Sequence, residues 1–135
     1  MATLSDLTWQ HRVLVVRTPA GGAAVNTLKQ RAAAVGERDL IWFVLHEEQL
    51  LSNYSGVLAA DFAATLTSRL AASGAAVLLI GKDGGTKLAA SVLDLEEIFA
   101  RIDTMPMRRS EMRRQETRRQ ATRQREVRQQ QERMR

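Results

Sequence analysis

Apolar residues along the chain follow two rhythms. The first is the short continuous run. Arg12 to Arg17 (RVLVVR) is apolar throughout and closed by charge at both ends, which predicts a strand covered on both faces. Asp39 to Leu45 (DLIWFVL) repeats the pattern and stops at His46-Glu47-Glu48. Ala75 to Ile80 (AAVLLI) is the third run. Gly81, Lys82, Asp83, Gly84 and Gly85 follow it, and an Asp-Gly step among glycines is what a tight hairpin needs, so Thr86 to Ala90 is expected to pair back as a fourth strand. In the second rhythm the spacing lengthens to three and four. Val25, Leu28, Ala32 and Val35 predict a helix over Asn26 to Val35, stopped by Gly36. Leu58, Phe62, Leu66 and Leu70 predict one over Val57 to Ala72, ended by Ser73-Gly74. Asp94 is placed to cap a third, with Leu95, Ile98, Phe99 and Ile102 on one face. Leu4, Leu7 and Trp9 form a lead-in where Ser5 and Asp6 can cap a single turn, and Gln49 to Gly56 reads as a polar loop. Trp9, Trp42 and Phe43 are expected in the core or at its edge.

The resulting order is β-α-β-α-β-β-α, an α/β fold with a mixed four-stranded sheet flanked by helices. The first β-α-β unit implies a right-handed parallel crossover, and the last two strands an antiparallel hairpin. A thioredoxin-like core has this order. A ferredoxin-like one, β-α-β-β-α-β, has no helix between its second and third strands. The body is assigned to residues 1–106 and an Arg/Gln/Glu-rich helical or partly disordered tail to 107–135.

Charge sharpens that division. The formal net charge is +5. From Met107 onward the chain holds 11 Arg against 4 Glu, whereas the body holds 9 basic and 11 acidic residues. The basic character belongs to the tail, and the body's charge gives no reason to expect nucleic-acid binding. The tail repeats about every five residues (MRRSE, MRRQE, TRRQA, TRQRE, VRQQQ) and lacks Gly and Pro, so a long charged helix is expected. Five residues turn about 140° beyond a full turn, so equivalent positions spiral and leave neither a coiled-coil seam nor a membrane-binding face. Two readings stay open: a solvated charged helix, or contact of Arg113, Arg114, Arg118 and Arg119 with an anionic partner, protein or nucleic-acid backbone. The tail has no aromatic residue to stack on bases. No stretch is long and apolar enough for a membrane span, and no basic-then-apolar leader opens the chain, so a cytoplasmic protein that does not engage membranes is expected. Oligomeric state is not fixed by these patterns.

The chain contains no cysteine, which removes thiol-disulfide exchange and thiolate metal ligation. The segment GKDGGTK (Gly81 to Lys87) joins two strands and lacks the spacing of a phosphate-binding loop, so it is read as a hairpin turn. His11 and His46 fall at opposite ends of a parallel pair, so no metal site and no cofactor are expected. G-x-S-x-G is absent. The chemistry left open is an unrecognised enzyme at the mouth between strand one and helix one, built on Thr18, His46 or a nearby acid.

The stretches LSDLTWQHRVLVV (Leu4 to Val16), ERDL (Glu37 to Leu40), LLIGKDGGTKL (Leu78 to Leu88) and IDTMPMRRSEMRRQ (Ile102 to Gln115) together resemble bacterial domain-of-unknown-function family 4174. The resemblance implies a thioredoxin-like fold with no settled activity. In thioredoxin-like enzymes the reactive cysteine lies between strand one and helix one, where this chain has Thr18, Pro19, Ala20 and Gly21, and a cis-proline precedes strand three, where it has Ser73-Gly74. A vestigial site in an interaction domain with an unidentified protein partner is the expectation. In the closing motif, Pro106 is expected to break the helix after Ile102. Met105 and Met107 would fold back onto the sheet, and Arg108 and Arg109 would pair with acids such as Asp103.

Overall fold

The computed structural model describes residues 2–19 and 21–133. The chain divides into two compact units, residues 1–101 and 102–135. The first contains α1 (Leu4–Leu7), β1 (Arg12–Arg17), α2 (Gly21–Gln30), α3 (Ala32–Glu37), β2 (Leu40–His46), β3 (Gln49–Ser52), α4 (Phe62–Ser73), β4 (Val77–Ile80), β5 (Thr86–Ala90) and most of α5 (Leu95–Asp103). The second contains the end of α5 and α6 (Pro106–Arg133).

The sheet is mixed, with order β3-β2-β1-β4-β5. β1 runs parallel to β2 and antiparallel to β4, and both hairpins, β2-β3 and β4-β5, are antiparallel. The expected four-stranded sheet is therefore corrected to five. The extra strand is β3, inside the segment read as a loop. It pairs Phe43 with Ser52 and His46 with Gln49. A strand on the edge with one pairing partner does not need a continuous apolar run, so the polar ends of QLLS hid it.

Register explains the two-sided burial of the central strands. Val13 lies beside Ile41 and Ile80, and Val15 beside Phe43 and Leu78. These six share one face and pack with Phe62, Leu66 and Leu70 of α4 and with Leu7. Alternation sends Leu14, Val16, Trp42, Val44 and Leu79 to the other face, and all five are buried. Leu28 of α2, Val35 of α3 and Leu95, Ile98 and Phe99 of α5 are buried as well. The guanidinium groups of Arg31 and Arg38 lie 5.1 and 4.5 Å from the centre of the Phe99 ring, and Arg31 pairs with Glu96. These contacts set α5 beside the α2-α3 pair.

Several boundaries depart from expectation. The first helix starts at Gly21, not Asn26, and breaks at Arg31 (φ −110°, ψ 27°) into α2 and α3. Helix α4 begins at Phe62, because Leu58 forms an extended bridge with Ala2 before the helix starts. α1 is capped by Thr3, with Asp6 as its capping-box partner, instead of by Ser5. Gly74 ends α4 in the left-handed conformation (φ 68°), as its glycine permits. Trp42 and Phe43 are buried, but Trp9 is 65% exposed.

Candidate functional site

The mouth that follows β1 is built from Arg17, Thr18 and Pro19. Ala20 lies outside the described residues, and Gly21 opens α2. The Thr18 N–H donates to the Leu45 carbonyl at 3.3 Å, and the Arg17 N–H donates to the Ala76 carbonyl at 2.8 Å, which ties the mouth to both neighbouring strands. A cleft of about 470 Å³ opens there, with Val16, Pro19, Ala24, Val77, Val92 and Leu93 among its walls. Val92 is 72% exposed at this site. A second cleft of about 630 Å³ shares Arg17, Thr18 and Pro19 and adds Leu45, Glu47 and Thr67. His46 lines neither cleft. Its Nδ1 lies 3.1 Å from the Thr18 backbone carbonyl. The walls of the first cleft are mainly apolar, whereas Arg17, Thr18, Glu47 and Thr67 make the second more polar.

The hairpin residues sit where the turn needs them. Gly81 donates to the Gly85 carbonyl at 2.9 Å, and the Gly84 N–H donates to the Gly81 carbonyl at 3.0 Å. Gly84 takes φ 83°, the left-handed region. The Asp83 carboxylate accepts the Gly85 N–H at 3.0 Å and the Lys87 ammonium at 2.8 Å, and these two donors hold its pKa below the ordinary 3.8. Among the described residues no three His, Cys, Asp or Glu side chains converge as a metal site would require.

Lys82 does something the sequence did not advertise. Its side chain is only 8% exposed and reaches Asp39 Oδ2 at 2.9 Å. Its backbone carbonyl accepts the Trp9 N–H. Among the described residues, Trp9 (φ 72°) and Asp39 (φ 50°) are two of the three non-glycine residues with positive φ, the third being Glu47 in the β2-β3 turn. Three of the four sequence stretches that carry the family resemblance therefore meet at one lysine. A lysine two residues past an apolar strand gave no sign that it would be buried, and neither positive φ has a glycine to announce it.

In the second unit, Pro106 opens α6 instead of merely breaking α5, in keeping with its tolerance at the first helical position. Arg108 is buried, with Nε 3.3 Å from Asp103 and Nη1 3.6 Å from Glu111. Arg109 is exposed, and the bond it makes is the helical one from its N–H to the Met105 carbonyl. Met105 is half-buried, whereas Met107 is exposed and so does not serve as filler. Arg113, Arg114, Arg118 and Arg119 all lie exposed on α6. Arg113 is within 3.2 Å of the Ser110 hydroxyl. From Glu116 to Gln131 every residue is exposed. Among the described residues no helix is long and apolar enough to cross a membrane.

Among curated proteins none matches the chain, and among solved structures none matches either. A family profile described as a domain of unknown function (DUF4174) matches residues 3–111, a span that takes in the five-stranded sheet, the Lys82 node and the buried Arg108. The chain belongs to this family, DUF4174.

Proposed function

We propose that the chain is a non-catalytic interaction domain of thioredoxin-like layout whose basic C-terminal helix engages the acidic face of a protein partner. The observation that carries the reading is the exposed length of α6. The helix bears ten Arg against four Glu, and of these Arg108 is buried. Because successive repeats turn by about 140°, the arginines point in all directions around the axis. Such a rod has no apolar stripe to bury on its own body, and its free energy of association is electrostatic. The thioredoxin-like layout is supported by the element order and by the strand senses, β1 parallel to β2 and antiparallel to β4. The non-catalytic part is supported by the absence of cysteine and by the apolar walls of the mouth. The test is partner capture with the full chain and with Arg113→Gln, Arg114→Gln, Arg118→Gln and Arg119→Gln combined. Glutamine keeps helix propensity close to that of arginine. Loss of partners is expected, and identical partner sets refute the role of the helix.

A second reading has the same arginines on a nucleic-acid backbone. The excess of arginine favours it, and the lack of tail aromatics restricts it to backbone contact without base stacking. Mobility shifts decide it. Four phosphate contacts lower affinity by about a hundredfold between about 50 and about 200 mM salt, and no shift at the lower salt ends this reading.

A further inference from the structure

At the end of the sheet opposite the β1-α2 mouth, a cleft of about 260 Å³ is enclosed by α1, the start of β1, α4 and the β4-β5 hairpin. Its apolar walls are Leu4, Val13 and Ile80. Its polar walls include Ser5, Thr8, His11 and Arg69, and among the described residues no carboxylate lines it. Arg69 is anchored by a single nitrogen. Nη2 donates to the Gly84 carbonyl at 2.7 Å and to the Thr86 hydroxyl at 3.2 Å. Among the described residues Nε and Nη1 of Arg69 meet no acceptor, and the side chains of Ser5, Thr8 and His11 make no hydrogen bond. Unused donors of four side chains therefore face one small space.

The walls are held in place independently of any ligand. The Thr3–Asp6 capping box fixes α1, with the Thr3 N–H 2.9 Å from Asp6 Oδ2. The Trp9 N–H, bonded to the Lys82 carbonyl, ties the α1-β1 turn to the hairpin. Arg69 ties α4 to the same hairpin, and a Cβ at Gly84 would lie 3.7 Å from the Thr8 hydroxyl. A pre-formed cavity with a guanidinium pinned at one corner loses little entropy on binding.

We propose that this cleft is a binding site for a small oxyanion, either phosphate or a short carboxylate. Nε and Nη1 of Arg69 offer separate charged N–H donors, not a fork, because the anchored Nη2 belongs to both edges of the guanidinium, and the Ser5, Thr8 and His11 side chains supply further donors. The volume falls below that of pockets for drug-sized ligands, which limits the occupant to a compact ion or the anionic end of a larger molecule.

The experiment is a two-dimensional amide NMR titration of the full chain with inorganic phosphate, and separately with acetate, each to about 20 mM at constant ionic strength, with chloride as control. Saturable shifts at Thr8, His11, Gly84 and the Arg69 side chain are expected with phosphate, acetate or both, and the better ligand names the chemistry. Arg69→Gln should weaken binding by about tenfold or more, and Arg69→Lys by less, since lysine keeps the charge with a different donor geometry. Arg69→Gln also loosens the hairpin, so Thr8→Val, which touches neither hairpin bond, provides the second variant and should weaken binding with an unchanged melting temperature. Absence of saturation with both anions, equal shifts with chloride, or wild-type affinity in both Arg69→Gln and Thr8→Val would overturn the proposal.

Discussion

Asp39 combines two roles at one residue. Its carboxylate faces a lysine that is nearly removed from solvent, and its backbone sits at φ 50°, where side chains other than Gly, Asn and Asp are strained. The two effects separate by substitution. Asp39→Asn tolerates the backbone and loses the charge, and a cost of about 1–2 kcal/mol is expected, below the range for a fully buried pair because Asp39 is 48% exposed. Asp39→Ala adds about 1 kcal/mol of left-handed strain. Chemical denaturation should therefore rank wild type above Asn above Ala, and Asn equal to Ala would show that φ contributes nothing. Asp83 makes a different prediction. The Lys87 and Gly85 donors favour its charged form in the fold and depress its pKa below 3.8. A depressed folded pKa stabilises fully above the unfolded value and fades as pH falls through the folded one. The stability gap between wild type and Asp83→Asn should thus be constant near neutrality and close as the pH falls through and below the ordinary carboxylate range. A gap that widens on acidification contradicts the assignment.

Elements differed in how plainly the sequence announced them. β1 was legible to the residue because Arg12 and Arg17 close a purely apolar run, and the start of β5 because Gly84-Gly85 precede it. The start of α2 was not, since Gly21-Gly22 reads as a break and nevertheless forms the first turn. Leu58 kept the four-residue spacing of α4 while lying in an extended segment, so periodicity placed it near the core but in the wrong element. β3 was hidden because it is an edge strand with polar ends, and past Ser52 a side chain takes over the pairing with β2. The Asn53 carbonyl accepts the Trp42 N–H at 2.9 Å, and its amide donates to the Leu40 carbonyl at 3.2 Å, extending the β2 edge past Ser52. Asn53→Ala should cost about 1–2 kcal/mol by leaving both backbone groups of β2 without that partner, and its effect should appear as faster amide exchange at Trp42. In α4, Leu66 is fully buried against the sheet, so Leu66→Ala should cost about 2–5 kcal/mol. Val127→Ala on exposed α6 should stay within about 0.5 kcal/mol. The β1-α2 connection followed from the element order, and the lack of thiol chemistry from composition. The Lys82 node and the Arg69 cleft were not foreseen, since they assemble from segments as far apart in sequence as Leu4 and Gly84, whose contacts no local pattern encodes.

For the whole molecule, the division of charge is the dominant property. A near-neutral body and an arginine-rich helix respond differently to salt. Hydrophobic burial in the sheet is insensitive to moderate ionic strength, whereas attraction to α6 is screened within about 8–10 Å. The buried Arg108, held by Asp103 and Glu111, puts one arginine of the second unit to structural use and leaves the exposed ones for contact. The most direct measurement is fluorescence anisotropy of a labelled glutamate-rich peptide with the full chain and with the combined Arg113, Arg114, Arg118 and Arg119 to Gln variant, at low and moderate salt. Binding that weakens as salt rises and collapses in the variant is the predicted result; binding of equal strength by both proteins contradicts the account.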